Sequence, residues 1–407
     1  MALRLVIVIA NVFGALSRFL KQGSGIMVGG RILLKLAPNA VLELSRNRQV
    51  VLISGTNGKS TTTALITQAL NTKSSVVSNS TGANLFAGLA SALSQDLSAP
   101  VAVLEVDEMV LPWAIAQTKP QLIVLLNLGR DQLDRLSEVR VVAQKWRGVL
   151  KTLPASCAVL ADADDPFVAW ASLASVNVIW FTSGAQGHMD ASTCPECGEI
   201  LQWQNQGATY SCTCGFKKPN PEWILRGNTL LGPQNQEMEI TSAIPGKAGL
   251  SNAARAVVAS QYFGVDAEDA LRVISKITSV DGRFGTLIMK QTRFRLMLSK
   301  NPASWHETLA TSAQGPKDVL LVVNANVQDG KDTSWLWDID FAPLKDRTVI
   351  VSGDRRLDIS ARLTVAGIEH GIVSDEKSAA VIFGNVEADL IASYTAFHRL
   401  AKGVKKS

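Results

Sequence analysis

An α/β architecture, with a doubly wound parallel sheet in a central domain and a second, smaller α/β domain after it, is what the 407-residue chain predicts. Three observations carry this. Short apolar runs at 50–53, 101–106, 122–126, 158–161 and 178–181 alternate with helical patterns such as 61–70, as strands buried on both faces do. Between 184 and 221 the texture turns polar and rich in Cys, Gly and Gln, which reads as an inserted subdomain. A second alternation follows, with helical patterns at 251–263 and 357–366 and apolar runs at 319–323 and 349–352. The expected organisation is an N-terminal helical segment (1–45), a central domain (46–245) interrupted by the 184–221 insertion, and a C-terminal α/β domain (246–407).

Composition sets the broad class. With 47% hydrophobic and 18% charged residues the chain can bury a sizeable core, and at about 100–200 residues per domain two or three domains are expected. A formal net charge of +5 is spread too thinly for a nucleic-acid footprint, so no nucleic-acid partner is expected. The stretch 1–20 is apolar, with Arg4 leading the run 5–9, but Asn11 interrupts it and Arg18 and Lys21 follow closely. A membrane span takes about 20 apolar residues, so a helix packed on the protein or lying on a membrane surface is the expectation, in preference to a signal peptide. Five cysteines, four of them in two tight pairs, suit a metal site in a reducing compartment, which points to the cytosol.

The chemistry begins at Ser54-Gly55-Thr56-Asn57-Gly58-Lys59-Ser60-Thr61, between an apolar run and a helical pattern. Glycines let backbone N–H groups turn toward a phosphate, a helix N-terminus adds partial positive charge, Lys59 adds a full one, and the Ser60 hydroxyl can bind magnesium. ATP fits this mechanism. The spacing departs from the ordinary phosphate loop, because Ile53 stands where its first glycine would be. Glu105, with Asp107 and Glu108 beside it, ends the run at 101–106, on the carboxyl edge where ligands of open α/β sheets sit. Such a cluster also fits a solvated turn.

Cys194-Pro195-Glu196-Cys197-Gly198 and Cys212-Thr213-Cys214-Gly215 form two knuckles whose four thiolates can close a tetrahedron around zinc. Zinc ribbons often bind nucleic acid, but Lys217 and Lys218 are the only basic pair nearby, and a closed thiolate site is usually structural. Cys157, before an apolar run, reads as an inert core residue.

The short loop Gly-Thr-Asn-Gly-Lys-Ser resembles the ATP loop of the Mur ligase family, which includes the folylpolyglutamate synthetases. Further likenesses follow in the family's order: Asn127 with Arg130-Asp131-Gln132-Leu133-Asp134, where Gln132 replaces a histidine; Ala161-Asp162-Ala163-Asp164-Asp165-Pro166, where Asp162 replaces an asparagine; 246–256, with Asn252 kept and Gly249 in place of a second asparagine; and Asp281-Gly282-Arg283. The resemblance implies a Mur ligase-type ATP-binding central domain and a Rossmann-like C-terminal one. It also implies nucleotide contacts by residues 55–61, by Asn252 at the adenine and by Arg283 at the phosphates, with Ser60 and Glu105 on magnesium. Lys59 and Glu105 are the implied catalytic groups.

The ribbon, Gln132 and the motifs Lys300-Asn301-Pro302-Ala303, Asp329-Gly330-Lys331-Asp332-Thr333-Ser334-Trp335 and Ser393-Tyr394-Thr395 resemble an amidating branch of that family. Only about 45 residues precede the loop, too few for a separate UDP-sugar-binding domain, as a lipid-linked substrate would allow. The branch implies amidation of the α-carboxylate of D-glutamate in a lipid-linked peptidoglycan precursor, through an acyl phosphate, at the inner face of the membrane. Ammonia would come from a GatD-like glutamine amidotransferase in a heterodimer, with Asp332 lending its carboxylate to the partner's Cys–His pair. Gly249, Asp162 and Ala325 depart from the family where adenosine would bind. The alternative is a ligase related to folylpolyglutamate synthetase that adds an amino acid to a carboxylate.

Overall fold

The computed structural model describes residues 3–19, 25–79, 82–130, 138–184, 190–278, 280 and 283–402. The chain divides into two compact units, the first made of Met1–Leu128, Ser137–Ser242 and Ser251–Lys276, the second of Gly129–Leu136, Ala243–Leu250 and Ile277–Ser407.

Three helices open the first unit: α1 (Leu3–Phe19), α2 (Ile26–Leu36) and α3 (Ala40–Ser45). No helix among the described residues is long and apolar enough to cross a membrane. Val6, Ile7 and Ala10 of α1, Leu33 of α2 and Ala40 and Val41 of α3 are buried in the same core as the sheet behind them.

That sheet contains β1 (Gln49–Ser54), β2 (Val76–Ser78), β3 (Val101–Glu105), β4 (Leu122–Leu125), β5 (Ala158–Asp162), β6 (Val178–Thr182), β9 (Trp223–Arg226), β10 (Thr229–Leu231) and β11 (Glu237–Glu239), in the order β11-β10-β9-β6-β5-β4-β1-β3-β2. Neighbouring strands from β2 across to β9 pair parallel, while β9, β10 and β11 form an antiparallel meander at one edge in which β10 alone runs against the rest. Every residue of β3, β4 and β5 is buried, which is why these strands read as continuous apolar runs, up to the carboxylates Glu105 and Asp162 that end β3 and β5, rather than alternating ones. Helices α4 (Lys59–Leu70), α5 (Phe86–Leu93), α6 (Leu111–Thr118), α7 (Glu138–Leu150) and α8 (Pro166–Ser172) connect them. The order reverses at β1: the chain goes from β1 outward to β2, returns through β3, then crosses to β4. The loop after β1 therefore sits at a topological switch point, the usual place for a ligand.

The insertion carries a small hairpin, β7 (Gln202–Gln204) and β8 (Thr209–Ser211). Cys194, Leu201, Tyr210, Cys212 and Phe216 bury themselves in the core of the first unit, so the ribbon has no separate core of its own. The unit also includes residues 251–262 of α9 (Gly246–Tyr262) and all of α10 (Ala267–Ile274).

The second unit holds a six-stranded sheet of β12 (Phe284–Met289), β13 (Thr292–Leu298), β14 (Asp318–Val322), β15 (Thr348–Ser352), β16 (His370–Ile372) and β17 (Glu387–Ala392), in the order β12-β13-β17-β14-β15-β16. Only β12 is antiparallel to its neighbour. Helices α11 (Pro302–Ser312), α12 (Arg356–Val365), α13 (Glu376–Phe383) and α14 (Tyr394–Ala401) cover it, and Trp305, Phe341 and Phe397 are buried against it. The sheet is closed internally by Asp389, wholly buried, whose carboxylate accepts from Arg295 Nε at 2.6 Å and from Ser312 Oγ at 2.6 Å.

Candidate functional site

The loop between β1 and α4 is held open by its own chain. Asn127, just beyond β4, exchanges two hydrogen bonds with Asn57: Asn57 N donates to Oδ1 at 2.8 Å and Asn127 Nδ2 donates to Asn57 O at 3.0 Å. Thr56 N donates to the Asn127 carbonyl at 2.9 Å. These N–H groups thus define the loop's shape, and the face offered to an anion begins at Gly58, with the first turn of α4 and its axial N–H groups. Gly58 has φ +86°, and a Cβ there would come within 3.0 Å of Asn252 Oδ1, so backbone freedom and closeness to Asn252 both require glycine.

Lys59, almost wholly buried, donates to the carbonyls of Gly55 and Thr56 and lies 3.2 Å from Glu108 Oε1. The structure gives Glu108 this role; at the sequence level it is one of three neighbouring carboxylates. Glu105 closes β3 with its side chain buried, and two asparagines that carry no sequence signature fix it. Asn79 accepts from Glu105 N at 2.8 Å and donates to Glu105 O at 2.7 Å, and Asn84 Nδ2 donates to Oε1 at 3.1 Å. Ser54 Oγ ties β1 to the residue after β3, donating to Val106 O at 2.9 Å. A lysine, a carboxylate and a helix N-terminus at one sheet edge are the chemistry of a magnesium–nucleotide phosphate site, and the donor set fits one. Thr61 lies buried in the first turn of α4.

The carboxylates after β5 are each committed. Asp165 caps α8, accepting from Phe167 N and Val168 N, and also accepts from Leu128 N at 2.6 Å. Asp164 accepts from Lys218 Nζ at 2.6 Å and Ser183 N at 2.9 Å. Lys218 is thereby an internal link from the ribbon to the sheet and not part of a basic surface. Asp162 pairs with Arg255, whose guanidinium lies 4.5 Å over the ring of Phe181. Burial pushes the Asp162 carboxyl up to about 7 against the pull of Arg255. Gly249 also acquires a reason: a Cβ there would meet the carbonyl of Ile244 at 2.2 Å.

The four ribbon thiols converge. All Sγ atoms lie within 4.8 Å of one another, with Cys194 to Cys214 at 3.7 Å and Cys197 to Cys212 at 3.4 Å. A tetrahedron with metal–sulfur bonds of about 2.3 Å has edges near 3.8 Å, so the set fits zinc. The knuckles repeat one pattern: Cys194 N donates to Glu199 O and Gly198 N to Cys194 O, while Cys212 N donates to Phe216 O and Gly215 N to Cys212 O. Tyr210 Oη donates to Ala163 O at 3.0 Å, and Glu196 accepts from Trp170 Nε1, which anchors the ribbon on the β5–α8 corner. Cys157 stands apart and buried, its thiol pushed up to about 11 by burial.

In the second unit the two aspartates of the 329–335 motif part company. Asp329 is buried and accepts from Thr395 N at 2.8 Å and Asn326 N at 3.0 Å, which ties this loop to the start of α14. Asp332 is exposed, and its Oδ1 accepts from Ser334 N at 2.8 Å at the start of the 3₁₀ helix Ser334–Asp338. That hydrogen bond holds the carboxyl below the usual range. Arg283 stands half-buried just before β12. Asp131, Gln132, Asp134, Asp281 and Gly282 lie outside the described residues.

Comparison with known proteins agrees with this geometry. Residues 53–260, about half the chain, match the Mur ligase middle domain, and residues 298–397 match the MurT ligase C-terminal domain. The lipid II isoglutaminyl synthase (glutamine-hydrolyzing) subunit MurT of Staphylococcus aureus (strain N315) is 29% identical over 371 residues, which cover 84% of this chain and 84% of that protein. The subunit of the same name from Streptococcus pneumoniae (strain ATCC BAA-255 / R6) is 27% identical over 409 residues, covering 92% and 91%. Among solved structures, the MurF ligase from Thermotoga maritima in complex with ADP shares the fold at a TM-score of 0.63 and 17% identity, covering 90% of this chain and 82% of its own. With the middle-domain match running from the end of β1 into α9, through the phosphate loop, Glu105 and Asn252, the chain belongs to the Mur ligase family.

Proposed function

We propose that this chain is the carboxylate-activating subunit of a glutamine-hydrolysing lipid II isoglutaminyl synthase. Its substrate is the α-carboxylate of D-glutamate in the stem peptide of a lipid-linked peptidoglycan precursor, at the cytoplasmic face of the membrane. The carboxylate oxygen attacks the γ-phosphorus of ATP and ADP departs, leaving an acyl phosphate. Ammonia then attacks the acyl carbon, the carbon–oxygen bond to phosphate breaks, and the nitrogen loses a proton to give the amide. The observation that carries this reading is the assembled site of Gly58, Lys59 and Glu105 at the switch point, in a chain similar over both units to subunits of that name.

Magnesium, when bound with ATP, neutralises charge on the phosphates and on the departing ADP. The chain's own groups do the rest. The first turn of α4 and Lys59 cradle the β- and γ-phosphates, and Ser60 and Glu105 hold the ion. Asn84 holds the Glu105 carboxylate that would bind it. Asn127 fixes the loop through its paired hydrogen bonds with Asn57, and Asn252, against Gly58, borders the nucleoside. The four cysteines hold a structural zinc that closes the polar ribbon.

The amine comes from a second polypeptide. Cys157 is buried and its thiol is held protonated, and the other four cysteines converge on one metal site, so this chain has no thiolate nucleophile with which to hydrolyse glutamine. A GatD-type amidotransferase fits the role, and Asp332 is the exposed carboxylate offered to it.

The test is reconstitution. The chain with a GatD-type partner, ATP, magnesium, glutamine and lipid II should release ADP and convert the stem-peptide glutamate to isoglutamine, read by mass spectrometry. The chain alone should do so with ammonium. Incorporation of an amino acid in place of ammonia would move the chain to the folylpolyglutamate-synthetase-like alternative, and no precursor-dependent ADP release would overturn the reading.

A further inference from the structure

Helix α1 is apolar on two opposite sides. One side, Val6, Ile7, Ala10, Gly14 and Ser17, is buried against the first unit. On the opposite side Leu5, Val8, Val12, Leu16 and Phe19 recur at spacings of three and four and lie 53%, 58%, 60%, 48% and 83% exposed. A surface helix ordinarily turns a polar face outward; one that is apolar nearly all round is ordinarily enclosed. Here half of it is enclosed. A contiguous row of this size marks an interaction site.

Charge identifies what covers it. The first 42 residues contain Arg4, Arg18, Lys21, Arg31 and Lys35 and no Asp or Glu, so this segment holds as much positive charge as the formal net charge of the entire chain, +5. Arg4 on α1 and Arg31 and Lys35, one turn apart on α2, are exposed, and Leu36 beside Lys35 is exposed too. A second copy of the chain would bring these like charges together across a two-fold interface. A protein groove would be expected to meet aromatic or hydrogen-bonding anchors, and the exposed face of α1 is mainly aliphatic, with Phe13 and Phe19 its two aromatic side chains and no hydrogen-bonding group in the row. An aliphatic row flanked by cations and free of acids is complementary to acyl chains beneath anionic headgroups. At 17 residues, about 25 Å, the helix can lie in that interface without spanning it.

We propose that the outward face of α1, with the cations of α1 and α2, docks the protein in the plane of an anionic lipid surface. The inference deepens the reading of the substrate as lipid-linked, since a docked enzyme searches for that substrate in two dimensions, but its evidence is the helix itself. Flotation reads it without any chemistry. The full chain should float with vesicles of phosphatidylcholine containing about one-third phosphatidylglycerol, and binding should fall at least tenfold on vesicles of phosphatidylcholine alone or in about 1 M salt, where the screening length is near 3 Å. Val12→Glu with Leu16→Glu should abolish flotation. Arg31→Glu with Lys35→Glu should weaken it at least tenfold, each cation near an anionic surface being worth about fivefold. These side chains are solvent-facing, so the melting temperature and ADP release with a soluble stem-peptide substrate should be unchanged. Failure of the wild-type chain to float, or flotation by the Val12/Leu16 variant equal to wild type, would overturn the proposal. So would wild-type dimerisation in sedimentation velocity, or amidotransferase binding, that the same variant loses. Absence of amidation with intact flotation would instead strike the functional reading alone.

Discussion

The Nζ of Lys59 lies 3.2 Å from Oε1 of Glu108, and both side chains are largely withdrawn from water. The loop lysine is therefore held by a carboxylate and two backbone carbonyls, contacts that a bound phosphate would have to replace. Lys59→Ala should abolish precursor-dependent ADP release while the chain stays folded. The variant leaves Glu108 and the carbonyl of Gly55 without their donor, so its melting temperature should fall by the equivalent of about 1–3 kcal/mol. Near-normal amidation by a folded Lys59→Ala would remove the loop from catalysis.

Glu105 tests the ion. Because Asn79 holds its backbone and Asn84 its carboxylate, Glu105→Ala should lose most activity yet recover part of it when magnesium is raised, the remaining ligands binding the ion more weakly. Asn84→Ala should show the same rescue more mildly. If neither variant responds to magnesium at any concentration, Glu105 is structural.

The ribbon predicts a metal count. Purified protein should contain about one zinc, and Cys194→Ser should lower stability far more than turnover of the molecules still folded, since a closed thiolate site has no position open to substrate. The burial of Cys194, Tyr210 and Phe216 in the core of the first unit makes the loss propagate to the sheet. Metal analysis without zinc, and four thiols titrating freely in the native state, would contradict this.

Asp162 gives a pH signature. Its carboxyl, raised from 3.8 to about 7 by burial, holds a proton in the folded chain that the unfolded chain has lost over that window. Its contribution to stability is thus complete below the unfolded value and lost as pH rises through the folded one. Asp162→Asn keeps an acceptor for Arg255 and cannot titrate. The stability of the wild type relative to this variant should fall between about pH 4 and 7, by at most about 1.4 kcal/mol per unit. Parallel melting curves across that window would mean that Arg255 keeps the carboxylate ionised throughout.

What the sequence makes legible here follows from how local each signal is. The strands β1, β3, β4 and β5 are readable because burial on both faces leaves their interior positions apolar, and the phosphate loop and the cysteine knuckles because their chemistry sits within a few consecutive positions. Strands β9, β10 and β11 are three or four residues each, broken by Gly227, Gly232 and Pro233, and carry no periodicity to read. The β12–β13 hairpin is legible in principle, since the burial of β12 alternates around a Lys290-Gln291 turn. Partnerships are another matter. Lys59 meets Glu108 across 49 positions, Arg255 meets Asp162 across 93 and Lys218 meets Asp164 across 54, and nothing in any one segment announces its mate. Lys218 and Asp162, expected on a surface and at a ligand, prove to be internal partners of Asp164 and Arg255.

Asp332 separates structure from partnership. Buried Asp329, tied to Thr395 and Asn326, fixes the loop, and Asp332 stands exposed on it, its carboxyl kept ionised by the backbone N–H of Ser334. A glutaminase Cys–His pair needs a carboxylate to orient its histidine, and that group can belong to another chain if its geometry is right. An exposed, anionic aspartate on a fixed loop meets the requirement; it also meets that of a simple turn cap. The two roles part when the nitrogen source is changed. As the orienting group, Asp332→Asn should suppress amidation fed by glutamine in the complex with the amidotransferase and spare amidation fed by ammonium, because asparagine still accepts the Ser334 hydrogen bond but carries no charge for the histidine. As a control, Asp329→Ala should disturb the loop itself and lower the melting temperature, with glutamine-dependent turnover falling through lost complex formation. Unchanged turnover with both nitrogen sources in Asp332→Asn would make Asp332 a turn cap, a role that asparagine fills as well, and leave the partner's carboxylate to be found elsewhere.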